Sequence, residues 1–151
     1  MTMPRTETAA DRQVSPTPGA SGARRAVVIK RAREPASPED GMRVLVDRLW
    51  PRGLTRERVS ADLWLRDIAP SDALRRWFGH QADRWADFND KYRDELAHRP
   101  DLLRLLDDLR RKARLTLLYA ARDEAHNNAV VLRDVLTERR FLSTPAPGVE
   151  P

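Results

Sequence analysis

The stretch TLLYAARDEAHNNAVVL, from Thr116 to Leu132, sets Asp123, Glu124, His126, Asn127 and Asn128 between an apolar run and a segment of helical periodicity. An imidazole in such a place can serve as a general acid or base, and a neighbouring carboxylate can fix its orientation. Upstream, VDRLWPRGL gathers Asp47, Arg48, Trp50 and Arg52 where Pro51 and Gly53 must end a strand. Guanidinium forks suit phosphate or carboxylate groups. If the two segments meet, His126 would be the acid or base and Asp47 or Asp123 would orient it. Arg48 and Arg52 would then hold an anion, with Trp50, Asn127 and Asn128 as further ligand contacts. Each residue also has a structural role open to it. Asp123 could cap the last helix with Asn127 or Asn128 filling a turn, Trp50 could be core, and Arg48 could belong to a surface ion pair. Arg52, between Pro51 and Gly53, is the hardest to explain structurally. His80 is expected in an inter-helix turn and His98 near a helix C-terminus, where a cation is favoured. Neither forms a metal-ligand spacing with His126, so no metal site is expected and no cofactor is identified.

The elements that must position these groups follow from periodicity. AVVIKRA is a short β-branched run, and MRVLVDRLW is a second apolar run that stops at PRG. DLWLRDIA reads as a third, shorter strand, although one helical turn also fits its alternation. A helix is expected from Ser71, a good N-cap, through Leu74, Trp77 and Phe78. A second, about 82–97, sets Trp85, Phe88, Tyr92 and Leu96 on one face, and a third opens with Pro100 and presents Leu102, Leu105, Leu106 and Leu109. RLTLLYAA is a buried strand, and a last helix, about 126–140, buries Ala129, Leu132, Val135 and Leu136. Strand, strand, helices, strand and helix predict a single α/β domain, a small mainly parallel sheet flanked by helices. Ligands of such sheets collect beyond the strands' carboxyl ends, which is where both polar segments fall.

Composition sets the remaining bounds. The 151 residues are 40% apolar with four Trp, enough for a core in the middle of the chain. Residues 1–25, rich in Pro, Ser, Thr, Ala and Gly, and residues 142–151 are expected to be disordered tails around a domain at 26–141. The formal charge is +5. Part of it sits in the first segment, where Arg5, Arg12, Arg24 and Arg25 face only Glu7 and Asp11, and the rest is interspersed with acids as on an ordinary surface. Only three of the 28 basic residues are Lys, a bias towards Arg that carries no function by itself. A dedicated nucleic-acid face is not expected. With no Cys, disulfides, thiolate zinc sites and cysteine nucleophiles are excluded. Neither a spanning apolar run nor a signal-peptide core is visible, and a cytoplasmic location is expected. The chain also lacks G-x-G-x-x-G, G-x-x-x-x-G-K, G-x-S-x-G and H-E-x-x-H.

Four blocks, RVLVDRLWPRGL, WLRDIAPSDALRRWFGH, RWADFNDKYRDEL and LTLLYAARDEAHNNAVVL, closely resemble the bacterial YeaO-like family, a branch of domain-of-unknown-function family 488. The likeness spans roughly residues 26–138. It implies an α/β fold, singles out the DRLWPRG and DEAHNN loops, and implies no particular activity. Relatives in other branches carry a Cys-His-Arg triplet after a comparable strand. The matching positions here are Asn127, Asn128 and Ala129, so thiol or Arg chemistry of those relatives does not carry over. The reading that follows is a crevice for a small anionic ligand, a nucleotide or phosphorylated metabolite, with His126 able to act as acid or base. The rival is a non-catalytic module that contacts protein or nucleic acid.

Overall fold

A computed structural model describes residues 26–138. The two expected tails, and residues 139–141 of the expected domain, lie outside the described residues. Strands β1 (Val27–Arg31) and β2 (Met42–Leu45) are followed by a short helix α1 (Arg56–Val59) and a two-residue strand β3 (Leu63–Trp64). Helices α2 (Asp72–Phe78), α3 (Trp85–Ala97) and α4 (Pro100–Lys112) come next, then strand β4 (Leu115–Tyr119) and helix α5 (Asn128–Glu138). The sheet order is β1-β4-β2-β3, and every pairing is parallel. The last strand in sequence is therefore an inner strand, with Leu117 opposite both Ile29 and Val44.

All five residues of β4 are buried. Leu115, Leu117 and Tyr119 join the core built with the helices, whereas Leu118 joins Leu45, Ala32 and Val59 on the other face, so both sides of the strand are covered. Trp50 and Trp64 complete that second cluster, so both faces of the sheet are covered. Across the helical layer, Phe78 stacks on Phe88 with ring centroids 4.3 Å apart, and the buried Tyr92 hydroxyl donates to the Ile68 carbonyl at 2.6 Å. Among the described residues no helix is long and apolar enough to cross a membrane.

Three elements differ from the reading of the sequence. The third strand keeps only Leu63 and Trp64 before the chain turns into a 3-10 helix at Arg66–Ile68, the helical turn that the alternation also allowed. Helix α1 was not anticipated, since four residues carry no stripe; Thr55 caps it through the Arg58 N–H, and Ser60 ends it in the left-handed region at φ 49°. In α4 the buried face is Leu103, Leu106, Asp107 and Arg110, and Leu105 stands exposed instead of buried. The Arg110 guanidinium donates to the Leu136 carbonyl at 2.9 Å, which fixes the rotation of α4 against α5.

The approach to β2 holds a buried ion cluster. Asp40 accepts from Lys30 at 3.0 Å and from Arg43 at 2.6 Å, and Arg43 also donates to the carbonyls of Ser60 and Val59. Burial alone would raise the Asp40 pKa, but the bonds from Lys30, the Ser37 N–H and Arg43 outweigh it and hold the carboxyl below its ordinary value. Gly41 sits between them at φ 65°, where a Cβ would collide with the Arg114 carbonyl oxygen. Arg43→Ala strips a buried carboxylate and two carbonyls of their partner. It is expected to cost about 3–5 kcal/mol in urea unfolding, and Lys30→Ala less, because Arg43 and the Ser37 N–H still hold Asp40.

Candidate functional site

Two strand ends are stitched together before any ligand is considered. Past β2 the Val46 N–H continues the ladder to the Leu118 carbonyl at 3.1 Å, and the Val46 carbonyl accepts from Asn128 Nδ2 at 2.9 Å. Asp47 crosses in the other direction, its Oδ2 accepting the Ala120 N–H at 3.0 Å. Its own carbonyl accepts from the Trp64 indole at 2.8 Å, while the Trp50 indole donates to Leu54 at 2.6 Å and its ring stands edge-on to Trp64. The parallel sheet brings both loops to one edge, and these bonds fix their spacing.

The polar knot between β4 and α5 is largely self-satisfied. Asp123 Oδ1 accepts the N–H groups of Ala125 and His126 at 2.9 and 3.0 Å, and its Oδ2 engages His126 Nδ1 at 2.9 Å. Asn127 caps α5: its Oδ1 accepts the Val130 N–H at 3.1 Å and its Nδ2 donates to the Asp123 carbonyl at 2.8 Å. The helix consequently begins at Asn128 and not at 126, and the cap is Asn127 and not Asp123. The cap occupies the Val130 N–H at the helix start.

Side chains of both loops converge on a cavity of about 440 Å³ beyond the carboxyl ends of the strands. Asp47, Arg48, Trp50, Arg52, His126, Asn127 and Asn128 all line it. Asp123 does not, and acts from behind as the orienting carboxylate of His126; of the two candidates for that role, it is Asp123 that makes the contact. The His126 ring is braced by an edge-on contact with Trp85 at 5.1 Å. With Nδ1 engaged, Nε2 is the nitrogen left for a ligand. Asn127 faces the cavity with both ends of its amide committed, and Trp50 offers its ring with its N–H committed.

Sequence reasoning missed two polar members, Arg75 and His80, and the Phe78 and Phe88 rings that line the same space. His80 does lie in a turn, as expected, but in the left-handed region at φ 59°, a strained place for a side-chain-bearing residue. His98 caps the end of α3, with Nδ1 2.9 Å from the Asp94 carbonyl oxygen. Among the described residues no group of three or more His, Asp or Glu side chains is placed to hold a metal ion.

Charge is unevenly matched in the cavity. Asp72 Oδ1, outside the lining, lies 3.7 Å from Arg48 Nε and 3.3 Å from Arg75 Nη2, so two guanidiniums share one carboxylate oxygen. Arg48 Nε is buried with no hydrogen bond among the described residues. The only acid in the lining, Asp47, is pushed above its ordinary pKa by burial, against the lowering effects of the Ala120 N–H, Asn128 and the positive field of His80.

A family model described as the Inactive DUF488-N3 subclade matches residues 26–145. The uncharacterized protein YeaO of Escherichia coli (strain K12) is 42% identical over 107 residues, 71% of this chain and 93% of that protein. The uncharacterized proteins Rv3073c of Mycobacterium tuberculosis (strain ATCC 25618 / H37Rv) and Mb3100c of Mycobacterium bovis (strain ATCC BAA-935 / AF2122/97) are each 38% identical over 113 residues, 75% of this chain and 95% of theirs. No solved structure matches.

The raised pKa of Asp47 carries a signed consequence. Its contribution to stability is greatest below the ordinary value of 3.8 and is lost as pH rises through the folded value. Chemical denaturation from pH 3.5 to 7 should therefore show the parent losing stability relative to Asp47→Asn as the pH climbs. A parent that gains on the variant over that range would reverse the assignment.

Proposed function

We propose that this chain, which belongs to the Inactive DUF488-N3 subclade, binds a small anion in the crevice at the carboxyl edge of its sheet and holds it without turnover. The observation that carries this reading is the set of three guanidiniums in the lining, Arg48, Arg52 and Arg75, against Asp47 in the lining and Asp72 just outside it, whose one carboxylate oxygen Arg48 and Arg75 share. Arg52 is exposed at the mouth, where it would meet an arriving anion first. Partly desolvated guanidiniums interact with phosphate or carboxylate far more strongly than exposed ones do. Binding without chemistry is supported by the printed description of the family. It is supported also by Asn127, Asn128 and Ala129 at the positions where relatives in other branches carry Cys-His-Arg. Asn127 caps a helix, Asn128 ties two strands, and Ala129 is fully buried. Those positions hold the loop together.

One contact favours a second reading. A His126 ring held by Asp123 at 2.9 Å, with Nε2 directed by that bond, has the geometry of an acid or base that moves a proton on the bound anion.

Thermal unfolding of the full chain with nucleotides and phosphorylated sugars tests both. A ligand at a hundred times its dissociation constant should stabilise the parent by about 2.7 kcal/mol. Arg52→Ala should reduce that shift measurably with little change in unliganded stability, because its side chain is exposed. Equal stabilisation of parent and variant would remove the anion site. Chemical change in a stabilising ligand, abolished in His126→Gln while binding persists, would establish the second reading in place of the first.

A further inference from the structure

The cavity that we assign to an anion has a second chemical character that a simple anion would not use. Five ring-bearing side chains line it: Trp50, Phe78, His80, Phe88 and His126. Phe78 and Phe88 belong to a continuous aromatic wall, since Phe88 also stacks on Trp85 at 5.6 Å and Trp85 meets His126 edge-on. Leu49, the more exposed of the two large apolar side chains that stand out from the described surface, at 59%, lines the same space. Surface of this kind is suited to a flat ring and contributes little to binding a bare phosphate.

The cations occupy a different part of the lining. Arg48 and Arg75 gather beside Asp72 at the start of α2, whereas Phe78 lies at its far end, one helical turn on from Arg75. A single carboxylate oxygen between two guanidiniums leaves an excess of positive charge, and the buried Arg48 Nε still lacks a hydrogen bond. That corner can take one phosphate.

Asp47 supplies the third constraint. A carboxylate in a cavity built for an anion repels its ligand unless the ligand presents a hydrogen-bond donor to it. Oδ2 already accepts the Ala120 N–H, and burial favours a partner that shares a proton with the group. A ligand that fits the cavity therefore carries an N–H or O–H besides its anionic group.

We propose that the ligand class is a nucleoside monophosphate, with its phosphate at Arg48 and Arg75, its base against the Phe78–Phe88 wall, and an N–H or hydroxyl donor at Asp47. The proposal rests on the anion-site reading above and narrows it. A cavity of about 440 Å³ falls in the range that holds one small molecule.

Isothermal titration of the full chain separates the parts. The four common nucleoside monophosphates, the corresponding nucleosides, ribose 5-phosphate and inorganic phosphate are each titrated against the parent, Arg75→Gln and Asp47→Ala. A stacked base is worth roughly tenfold or more in affinity, so the monophosphates should exceed ribose 5-phosphate by at least that factor. Arg75→Gln, an exposed change that leaves the core intact, should weaken monophosphates and ribose 5-phosphate alike by roughly tenfold and leave nucleosides unchanged. Asp47→Ala should weaken monophosphates and leave inorganic phosphate unchanged or tighter. Ribose 5-phosphate binding as tightly as the monophosphates would overturn the base assignment while leaving the anion site standing. Binding of no phosphate compound would overturn both.

Discussion

Parallel pairing of β4 with both β1 and β2 is the constraint from which the site follows. Strands that run the same way deliver their carboxyl ends to one edge, so the loop after β2 and the loop after β4 must meet although more than seventy residues separate them in sequence. The strand that enforces this is buried throughout, and parallel strands covered on both faces need apolar residues at every position. Leu115 to Tyr119 meet that demand, with Thr116 buried only because its hydroxyl donates to the Asp40 carbonyl at 2.7 Å. Burial of the strand and proximity of the loops are two results of one pairing.

The approach to β2 and the carboxyl edge of the sheet treat charge in opposite ways. At the approach, Asp40 is enclosed by Lys30, Arg43 and the Ser37 N–H, and Arg43 spends its remaining donors on carbonyls. Removing Arg43 would take a donor from Asp40 and from the carbonyls of Val59 and Ser60 at once. At the carboxyl edge, Arg48 and Arg75 share one oxygen of Asp72, Arg52 has no acid in the lining besides Asp47, and a buried guanidinium nitrogen lacks a hydrogen bond among the described residues. Satisfied charge stabilises a fold. Charge left unsatisfied by the chain's own groups is a property that a ligand can use.

How much of this was legible from the sequence depends on the range of the interaction concerned. β4 and the two polar loops were readable because an unbroken apolar run and the Pro51–Gly53 stop are local signals. The family likeness, carried on four ordered blocks, agrees with them and with the family match. On α4, Leu102, Leu106 and Leu109 pack on the core as expected, and the error is confined to Leu105, exposed where Leu103 is buried, because LLRLL offers two overlapping stripes. What selects Leu103 and Leu106 is a bond from Arg110 to the Leu136 carbonyl, invisible to a hydrophobic pattern. Helix α1 is held by the Thr55 cap and by Arg43 from another element, so its own four residues carry no stripe. Arg75 and His80 escaped notice for a related reason: the sequence places them on a helix and in a turn, but only the packing of α2 over the carboxyl edge turns them towards the cavity.

The polar knot shows how a loop can keep its shape while its chemistry changes. Asn127 and Asn128 have side chains short enough to cap α5 and to reach the Val46 carbonyl, so they can hold the β4–α5 connection without a reactive group. His126 stands one residue earlier, outside that structural pair, and is oriented by Asp123 from the exposed side of the loop. The cavity lining therefore mixes two kinds of residue: Asn127 and Asn128, whose amides are committed to the loop and to the end of β2, and His126, Arg52 and Arg75, which hold neither strand end. Substitution at the first pair disturbs the edge that forms the crevice, whereas substitution in the second group changes its charge and lining and leaves that edge in place.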